Sequence, residues 1–175
     1  MKFAVALVVS FVLMILFRAL VLTVYTVEGT ALSPQLLAGD RVLVNRWSYG
    51  LRVGSTGSLF GYHRLCRQPV EHGDLVVFDN PRNTSDVLIC RCRAVPGDSV
   101  NHGGQTLIVP GRADCADNDY YWLEALSDDN PLDSRQLGFI SEEHIIGRVT
   151  HIVYSHHPDS TILRGWRAHR VMKAL

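Results

Sequence analysis

Lysine is almost absent from this sequence: of its 17 basic residues only Lys2 and Lys173 are lysines, and both lie at the ends of the chain. The rest of the chain therefore offers no amine that could accept a proton in catalysis. An excess of charge of one sign is missing as well, because 17 acidic residues balance the 17 basic ones. Proteins that bind nucleic acids concentrate basic charge on one face, so the composition argues against a nucleic-acid partner.

Metal-ligand spacing is also missing. The 8 histidines are scattered, and the adjacent pair His156 and His157 has no further ligand at a recognisable spacing. We therefore predict neither a metal ion nor a cofactor. The composition is nevertheless that of a folded chain, since 47% of the residues are apolar and only 19% are charged.

One long apolar run lies at the N-terminus. Residues 3–25 are apolar apart from Ser10, Arg18 and Thr23, and a run of this length can cross a hydrocarbon core of about 30 Å. Lys2 in front of it favours a cytoplasmic N-terminus. The alternative is a cleaved signal peptide, but no small-x-small cleavage site follows the run. We predict a retained single-pass anchor at residues 1–25 in the cytoplasmic membrane, with the rest of the chain on the extracytoplasmic side.

After the anchor, the pattern is typical of strands and turns, without a convincing amphipathic helix. We predict a mainly β fold, with an antiparallel β domain at residues 26–158 and a basic, frayed tail at residues 159–175. Residues 50–70 contain four glycines and show little periodicity, so we predict a long loop or an insertion there. The predicted strands are residues 41–47, 75–78, 87–95, 105–109 and 145–154.

Four cysteines, Cys66, Cys90, Cys92 and Cys115, follow the anchor and are expected in an oxidising compartment. Four cysteines allow three pairings, and the sequence does not choose among them. Cys90 and Cys92 share one face of a predicted strand, and two strand rises would separate their Cα atoms by roughly 6.6 Å. That distance is at the far edge of disulfide geometry.

Several turn-and-strand phrases occur in a recognisable order. Residues 27–36 read Val-Glu-Gly-Thr-Ala-Leu-Ser-Pro-Gln-Leu, residues 73–78 read Gly-Asp-Leu-Val-Val-Phe, residues 96–98 read Pro-Gly-Asp, and residues 133–139 read Asp-Ser-Arg-Gln-Leu-Gly-Phe. From the anchor to about Tyr154 the chain resembles the bacterial signal peptidase I family. Members of that family are membrane-anchored serine endopeptidases that remove signal peptides from exported proteins.

The resemblance places two substitutions at the positions that carry the chemistry. The family's serine nucleophile matches Ala31, and its lysine base, six residues before the Pro-Gly-Asp turn, matches Cys90. The arginine that follows the lysine is retained as Arg91. A serine hydroxyl needs a base, and a lysine serves only when its pKa falls well below about 10.4. Neither Ala31 nor Cys90 can take these roles.

A third departure lies near the last phrase, where a supporting serine of the family matches Pro131. Asp133 and Arg135 match the family, and the resemblance implies a salt bridge between them that braces the site. An engineered knockout would account for Ala31 alone and not for the other two changes. We therefore interpret the chain as naturally degenerate.

Two residues could replace the lost nucleophile. Ser33 lies two residues after Ala31, but it precedes a proline and is expected in an extended turn position. Cys90 would need a nearby cation to stabilise its thiolate, whereas Arg91 and Arg93 are expected on the opposite face of the strand.

Two functions remain open on these grounds. The first is a non-catalytic protein of the export pathway that binds signal-peptide segments or assists an active signal peptidase. The second is an active endopeptidase with Ser33 or Cys90 as an unorthodox nucleophile. In either case the partners implied by the resemblance are the lipid bilayer and the signal peptides of exported proteins.

Overall fold

The computed structural model describes residues 2–54, 61–114, 117–127, 132–160 and 165–175, with the side chains of residues 16–20 left out. The prediction of a mainly β, antiparallel domain is confirmed. The strands are β1 Leu22–Thr26, β2 Asp40–Asn45, β3 Leu51–Val53, β4 His63–Leu65, β5 Leu75–Asn80, β6 Asn83–Ala94, β7 Ser99–His102, β8 Gln105–Ile108, β9 Tyr120–Glu124, β10 Ile140–Ser141, β11 Ile145–Ser155 and β12 Lys173–Ala174. The helices are α1 Lys2–Val21 and α2 Ser134–Leu137, with short 3-10 turns at Glu142–His144 and Ala168–Arg170.

The N-terminal apolar run does not form one continuous helix. Helix α1 ends at Val21, and the next five residues form strand β1, which pairs antiparallel with β2. Thr23, Val24 and Tyr25 are β-branched or aromatic and fit a strand that has a partner. Within the part of the chain that the structure describes, no helix combines the length and apolarity needed to cross a membrane.

Most of the strands belong to one antiparallel sheet. Within the described residues its order is β1-β2-β11-β5-β6-β9-β10, and β12 adds to β11. Strands β3 and β4 form a separate hairpin, as do β7 and β8. Because each neighbour from β1 to β6 is antiparallel, β1 and β6 run in the same direction.

Strand β5 is buried on both faces, and this makes two hydrophobic cores. Leu75 and Val77 point into the first core, together with residues of β2 and β11. Val76 and Phe78 point into the second core, together with residues of β6 and β9. Tyr25 of β1 and Ile89 of β6 both pack against the first core although their strands are not paired. The sheet therefore curls around the first core and brings β1 towards β6.

The prediction of a loop at residues 50–70 is wrong in part. Leu51 pairs with Leu65 in the β3–β4 hairpin, while residues 55–60 lie outside the described residues. Arg64 holds this hairpin against the sheet, because its guanidinium donates to the carbonyls of Glu142 at 3.0 Å and Ile145 at 2.7 Å. A hairpin that is held by contacts with distant parts of the chain leaves little periodicity in its own sequence.

The prediction of a frayed tail is wrong for residues 165–175. Strand β12 pairs with β11, and Arg170 is buried. The Arg170 guanidinium lies 2.6 Å from a carboxylate oxygen of Asp40, whose side chain is fully buried. Burial alone would raise the pKa of Asp40, but hydrogen bonds from Arg170, the Leu37 amide and Ser155 outweigh burial, and the net pKa is lowered.

We expect Arg170→Met to lower the free energy of unfolding by about 3–5 kcal/mol, because the substitution leaves the buried Asp40 carboxylate without its cation. Urea unfolding of the full chain in detergent micelles, followed by tryptophan fluorescence, measures this loss. The exposed Arg93 supplies the control Arg93→Met, which should change little. Because the pKa of Asp40 is lowered, the stabilisation should be complete above its ordinary value of 3.8 and disappear as the pH falls below it. A loss equal to that of the control would contradict a stabilising ion pair.

Candidate functional site

A cleft of about 560 Å³ lies between the end of β1 and the first half of β6. Residues 25–28 line one side, and residues 85–90 line the other. Ala31 and Leu32 complete the first side, while Ala125 and Leu132 lie at the margin. Ala31 and Cys90, the two positions that the resemblance places at the lost nucleophile and base, both line this cleft.

Within the described residues, each long wall of the cleft is a strand edge to which no further strand is paired. Strand β1 is the last strand at its end of the described sheet. Strand β6 pairs with β5 along one edge, but its other edge pairs with β9 only from Arg91 to Ala94. Residues 85–90 thus present backbone N–H and C=O groups towards the cleft, and unpaired edges of this kind bind extended peptides by adding a strand. Because β1 and β6 run in the same direction, one extended segment could contact both.

Ala31 lies on a turn that neighbouring backbone fixes in place. Its carbonyl accepts hydrogen bonds from the amides of Leu126 and Ser127, each at 2.9 Å. Leu32 is buried in the first core. The turn is therefore held in a defined position at the cleft, although its alanine side chain carries no reactive atom.

Two arginines hold the same turn from the other side. The Arg91 guanidinium donates to the side-chain oxygen of Gln35. Arg170 donates to the backbone carbonyl of Gln35 at 2.7 Å. Arg91 is thus a positioning residue in this structure, and Gln35 and Arg170 are contributors that sequence analysis missed. No local signal points to them, since their partners are 56 and 135 residues away.

Asp133 forms a salt bridge with Arg135, the pair of residues that the resemblance singled out. Its carboxylate is fully buried and lies 2.8 Å from the Arg135 guanidinium. It also caps α2 by accepting the Arg135 amide at 2.9 Å, and it accepts the Ala125 amide at 2.9 Å. Ala125 lines the cleft and precedes the two amides that bind Ala31, so Asp133 fixes the segment on which the turn rests. Pro131 lies outside the described residues.

The Cys90 thiol is poorly suited to act as a nucleophile. Cys90 is 2% exposed and packs in the second core. Burial raises its pKa strongly, the charge of Asp133 raises it further, and Arg135 offsets only part of the effect. Burial and the charges of Asp74 and Asp98 likewise raise the pKa of Cys92 to about 12. Both thiols are therefore neutral near pH 7, whereas the thiolate is the reactive form.

The remaining candidates are less informative. Ser33 is half-buried and is not among the described residues that line the cleft, although its amide bonds the Thr30 carbonyl within the same turn. Cys66 is exposed and has a free thiol, as do Cys90 and Cys92, while Cys115 lies outside the described residues. Among the described residues no group of three or more His, Cys, Asp or Glu side chains could hold a metal ion.

Comparison with known proteins identifies the same family that the order of the sequence motifs resembles. A family model described as signal peptidase, peptidase S26, matches residues 1–121. The chain is 27% identical over 184 residues to signal peptidase IB of Staphylococcus aureus strain Mu50, which covers 86% of this chain and 87% of the relative. It is 25% identical over 91 residues to signal peptidase I of Buchnera aphidicola, which covers 52% of this chain and 28% of that protein.

We expect Cys90 and Cys92 to resist a maleimide reagent at pH 7, because both are buried and carry neutral thiols. In a Cys115→Ser background, Cys66 should react at least about a hundred-fold faster than either. Intact mass spectrometry over time counts the modified thiols, and unfolding in urea should make all three reactive. A fast-reacting thiol that survives Cys66→Ser and disappears in Cys90→Ala would contradict an inert Cys90.

Proposed function

This chain belongs to the signal peptidase family, peptidase S26, and on that premise we propose that it is a non-catalytic member that binds extended signal-peptide segments in its cleft. Membership connects the chain to signal-peptide processing at the level of the family. The finer proposal concerns what this particular chain does with such a segment. It rests on one observation: the cleft and the contacts that brace it are present, while the two positions that would carry the reaction are Ala31 and Cys90.

Retention of the braces supports a working binding site. The turn bearing Ala31 is held by the amides of Leu126 and Ser127 on one side and by Arg91 on the other. The buried Asp133–Arg135 pair fixes the supporting segment. Burying a carboxylate costs several kcal/mol unless it is paired and hydrogen-bonded. A chain that had lost every use for the cleft would gain little from keeping this arrangement.

The chemistry at the two positions supports the absence of peptidase activity. Alanine has no hydroxyl to attack a peptide carbonyl. A thiol with a strongly raised pKa cannot act as a base near neutral pH, because its thiolate is scarcely populated. The alternative is an active signal peptidase that uses Ser33 or Cys90. The burial and raised pKa of Cys90 weigh against it, and Ser33 is not among the described residues that line the cleft.

We further propose that the apolar run that contains α1 attaches the protein to the cytoplasmic membrane as a single-pass anchor with the β domain outside. The described residues alone contain no helix long and apolar enough to cross a membrane, so the proposal rests on the whole run of residues 3–21, which includes the undescribed side chains of residues 16–20. Apolar side chains are exposed around the helix, with Phe3 at 79%, Leu7 at 58% and Met14 at 59%. A helix that is apolar on all sides needs an apolar environment. Membrane attachment would place the cleft close to the membrane surface, because β1 follows α1 directly. A non-catalytic chain held there could bind exported chains itself or assist an active signal peptidase.

We predict that Ala31→Ser and Cys90→Lys together restore some cleavage of a signal-peptide substrate. Ala31→Ser alone should have almost no effect, since its hydroxyl lacks a base, and Cys90→Lys alone should have none, since its amine has no hydroxyl to activate. Groups that act as a unit are far from additive, so the double variant should exceed both singles by at least about ten-fold. Cleavage of a signal-peptide substrate by the four proteins measures this.

The same assay tests the alternative function. Circular dichroism checks folding, because a lysine buried beside Val76 loses solvation and could cost a few kcal/mol. Wild-type cleavage that is lost in Ser33→Ala or Cys90→Ala would overturn the non-catalytic proposal. A folded double variant without activity would indicate that the cleft no longer binds its substrate productively.

The anchor makes a separate prediction. Intact mass of the membrane-extracted protein should correspond to a chain that still contains α1, and alkaline carbonate should not release it. Replacing Leu7 and Met14 with arginine should release the protein, because charges are costly in hydrocarbon, whereas Ser10→Ala should not. A mature N-terminus beyond Val24 would contradict a retained anchor.

A further inference from the structure

The β3–β4 hairpin turns its basic face towards the domain. Arg52 of β3 and Arg64 of β4 are direct cross-strand partners, so their side chains lie on the same face of the hairpin. Both side chains contact the domain. The Arg52 guanidinium lies 2.7 Å from a carboxylate oxygen of Asp79, and Arg64 donates to the carbonyls of Glu142 and Ile145 at 3.0 and 2.7 Å.

The apolar side chains of the hairpin lie on its opposite face. Side chains alternate between the faces of a strand, and Val53 and Leu65 are 41% and 56% exposed. No described residue between positions 51 and 68 belongs to a hydrophobic core or packs against one. Among the described strands, β3 and β4 pair only with each other. Polar side-chain contacts therefore hold the hairpin on the domain, without burial of its apolar side chains.

Two residues with positive φ face each other at the base of the hairpin. Gly50 precedes β3 with a φ of 91°, and Cys66 follows β4 with a φ of 53°. A Cβ atom on Gly50 would lie 2.4 Å from the carbonyl oxygen of Leu65, so only glycine fits there. Just beyond these positions Tyr49 and Val70 are buried in the second core. The hairpin therefore has a fixed base, with a pair of positions where a change of backbone angles would move it as a unit.

One of the two fastenings lies beside the cleft. Asp79 of β5 and Val87 of β6 are direct cross-strand partners, and Val87 lines the cleft. Asp79 follows Val77 by two residues, on the face of β5 that carries the first core. Tyr25, on the other wall of the cleft, packs against the same core. Arg52 thus connects the hairpin to the end of the cleft that Val87 lines.

We propose that residues 51–53 and 63–65 form a strap that undocks as a unit about Gly50 and Cys66, and that the docked strap strengthens peptide binding by bracing the β6 wall of the cleft. This inference rests on the proposed function, because it names a structural control of the same cleft. When the strap undocks, the Asp79 carboxylate, whose side chain is only 17% exposed, loses its cation next to the wall.

Docking and strand pairing of the strap depend on each other. Undocking leaves Arg52 and Arg64 directly opposite one another without their acceptors, and like charges in that position destabilise a strand pair. The two strands of the strap are therefore released together rather than one contact at a time.

The coupling between strap and cleft is reciprocal. If the docked strap favours peptide binding by some factor, a bound peptide favours the docked strap by the same factor. We expect that factor to be about five-fold, towards the lower end for coupled sites, because the strap touches the cleft only through the neighbour of Val87.

The experiment uses the full chain in a non-ionic detergent. Hydrogen–deuterium exchange with mass spectrometry follows the amides of the strap and of β5, and fluorescence anisotropy measures binding of a labelled peptide that comprises the last ten residues of a secretory signal peptide. The variants are Arg64→Gln, which removes the fastening away from the cleft, Arg52→Gln, and the two together. The control Arg93→Gln changes an exposed arginine that lies outside the strap and does not line the cleft.

We expect the strap amides of the wild type to exchange at least about ten-fold faster than those of β5, and the peptide to slow only the strap. Arg64→Gln should speed exchange in the strap about ten-fold further, leave β5 unchanged and weaken peptide binding about five-fold. The double variant should bind little more weakly than either single variant, because both act through one undocking event and their effects do not add. Arg93→Gln should match the wild type in both measurements.

Strap exchange as slow as that of β5 would overturn this inference, and so would a peptide affinity of Arg64→Gln equal to that of the control. Either result would leave peptide binding by the wild type, and with it the proposed function, standing. Faster exchange of β5 in both arginine variants would also overturn the inference, because the arginines would then stabilise the whole domain. A folded wild type that binds no peptide would overturn both the coupling and the proposed function.

Discussion

The burial of β5 on both faces is the constraint on which the remaining structure depends. Because alternate residues of this strand enter two separate cores, the sheet cannot lie flat against a single layer. It curls around the first core, and Tyr25 and Ile89 pack against that core from opposite ends of the curve. The curl stops short of closure, since β1 and β6 approach without pairing. The cleft therefore occupies the position that one further strand would fill between β1 and β6. Its shape depends on the packing of the first core.

Much of the fold could be predicted because several strands are short apolar runs bounded by turns. Strands β5 and β11 are examples, and their positions agree with the sequence pattern to within two residues. The end of α1 could not be predicted, because the β-branched stretch 22–26 suits a helix in an apolar environment and a strand beside β2 equally well. The ordering of the C-terminal residues could not be predicted either. It depends on the partner of Arg170, a carboxylate 130 residues earlier in the chain.

The candidate site also contains some residues that could be located from the sequence and others that could not. Ala31, Cys90, Asp133 and Arg135 could be located from the order of phrases, because each phrase fixes a position by its spacing. Gln35 and Arg170 could not, since the contacts that hold the turn through Gln35 span 56 and 135 residues. In the structure, positioning of the turn and chemical reaction depend on different groups. Positioning of the turn depends on backbone amides and arginines, whereas reaction depends on two side chains, so the second can be lost without the first.

The long sequence separation of these contacts bears on how the chain is made. Strand β2 emerges early during synthesis, but its partner β11 follows about a hundred residues later, as the hydrogen bond from Thr150 to Leu43 illustrates. Contacts of such high separation form slowly, because the intervening chain must first be ordered. The turn at Ala31 acquires its Arg170 contact only after the chain has been made as far as Arg170, 135 residues beyond Gln35. An emerging chain would therefore carry an unfinished cleft until Arg170 had been made, and a segment capable of filling that cleft could bind in it only afterwards.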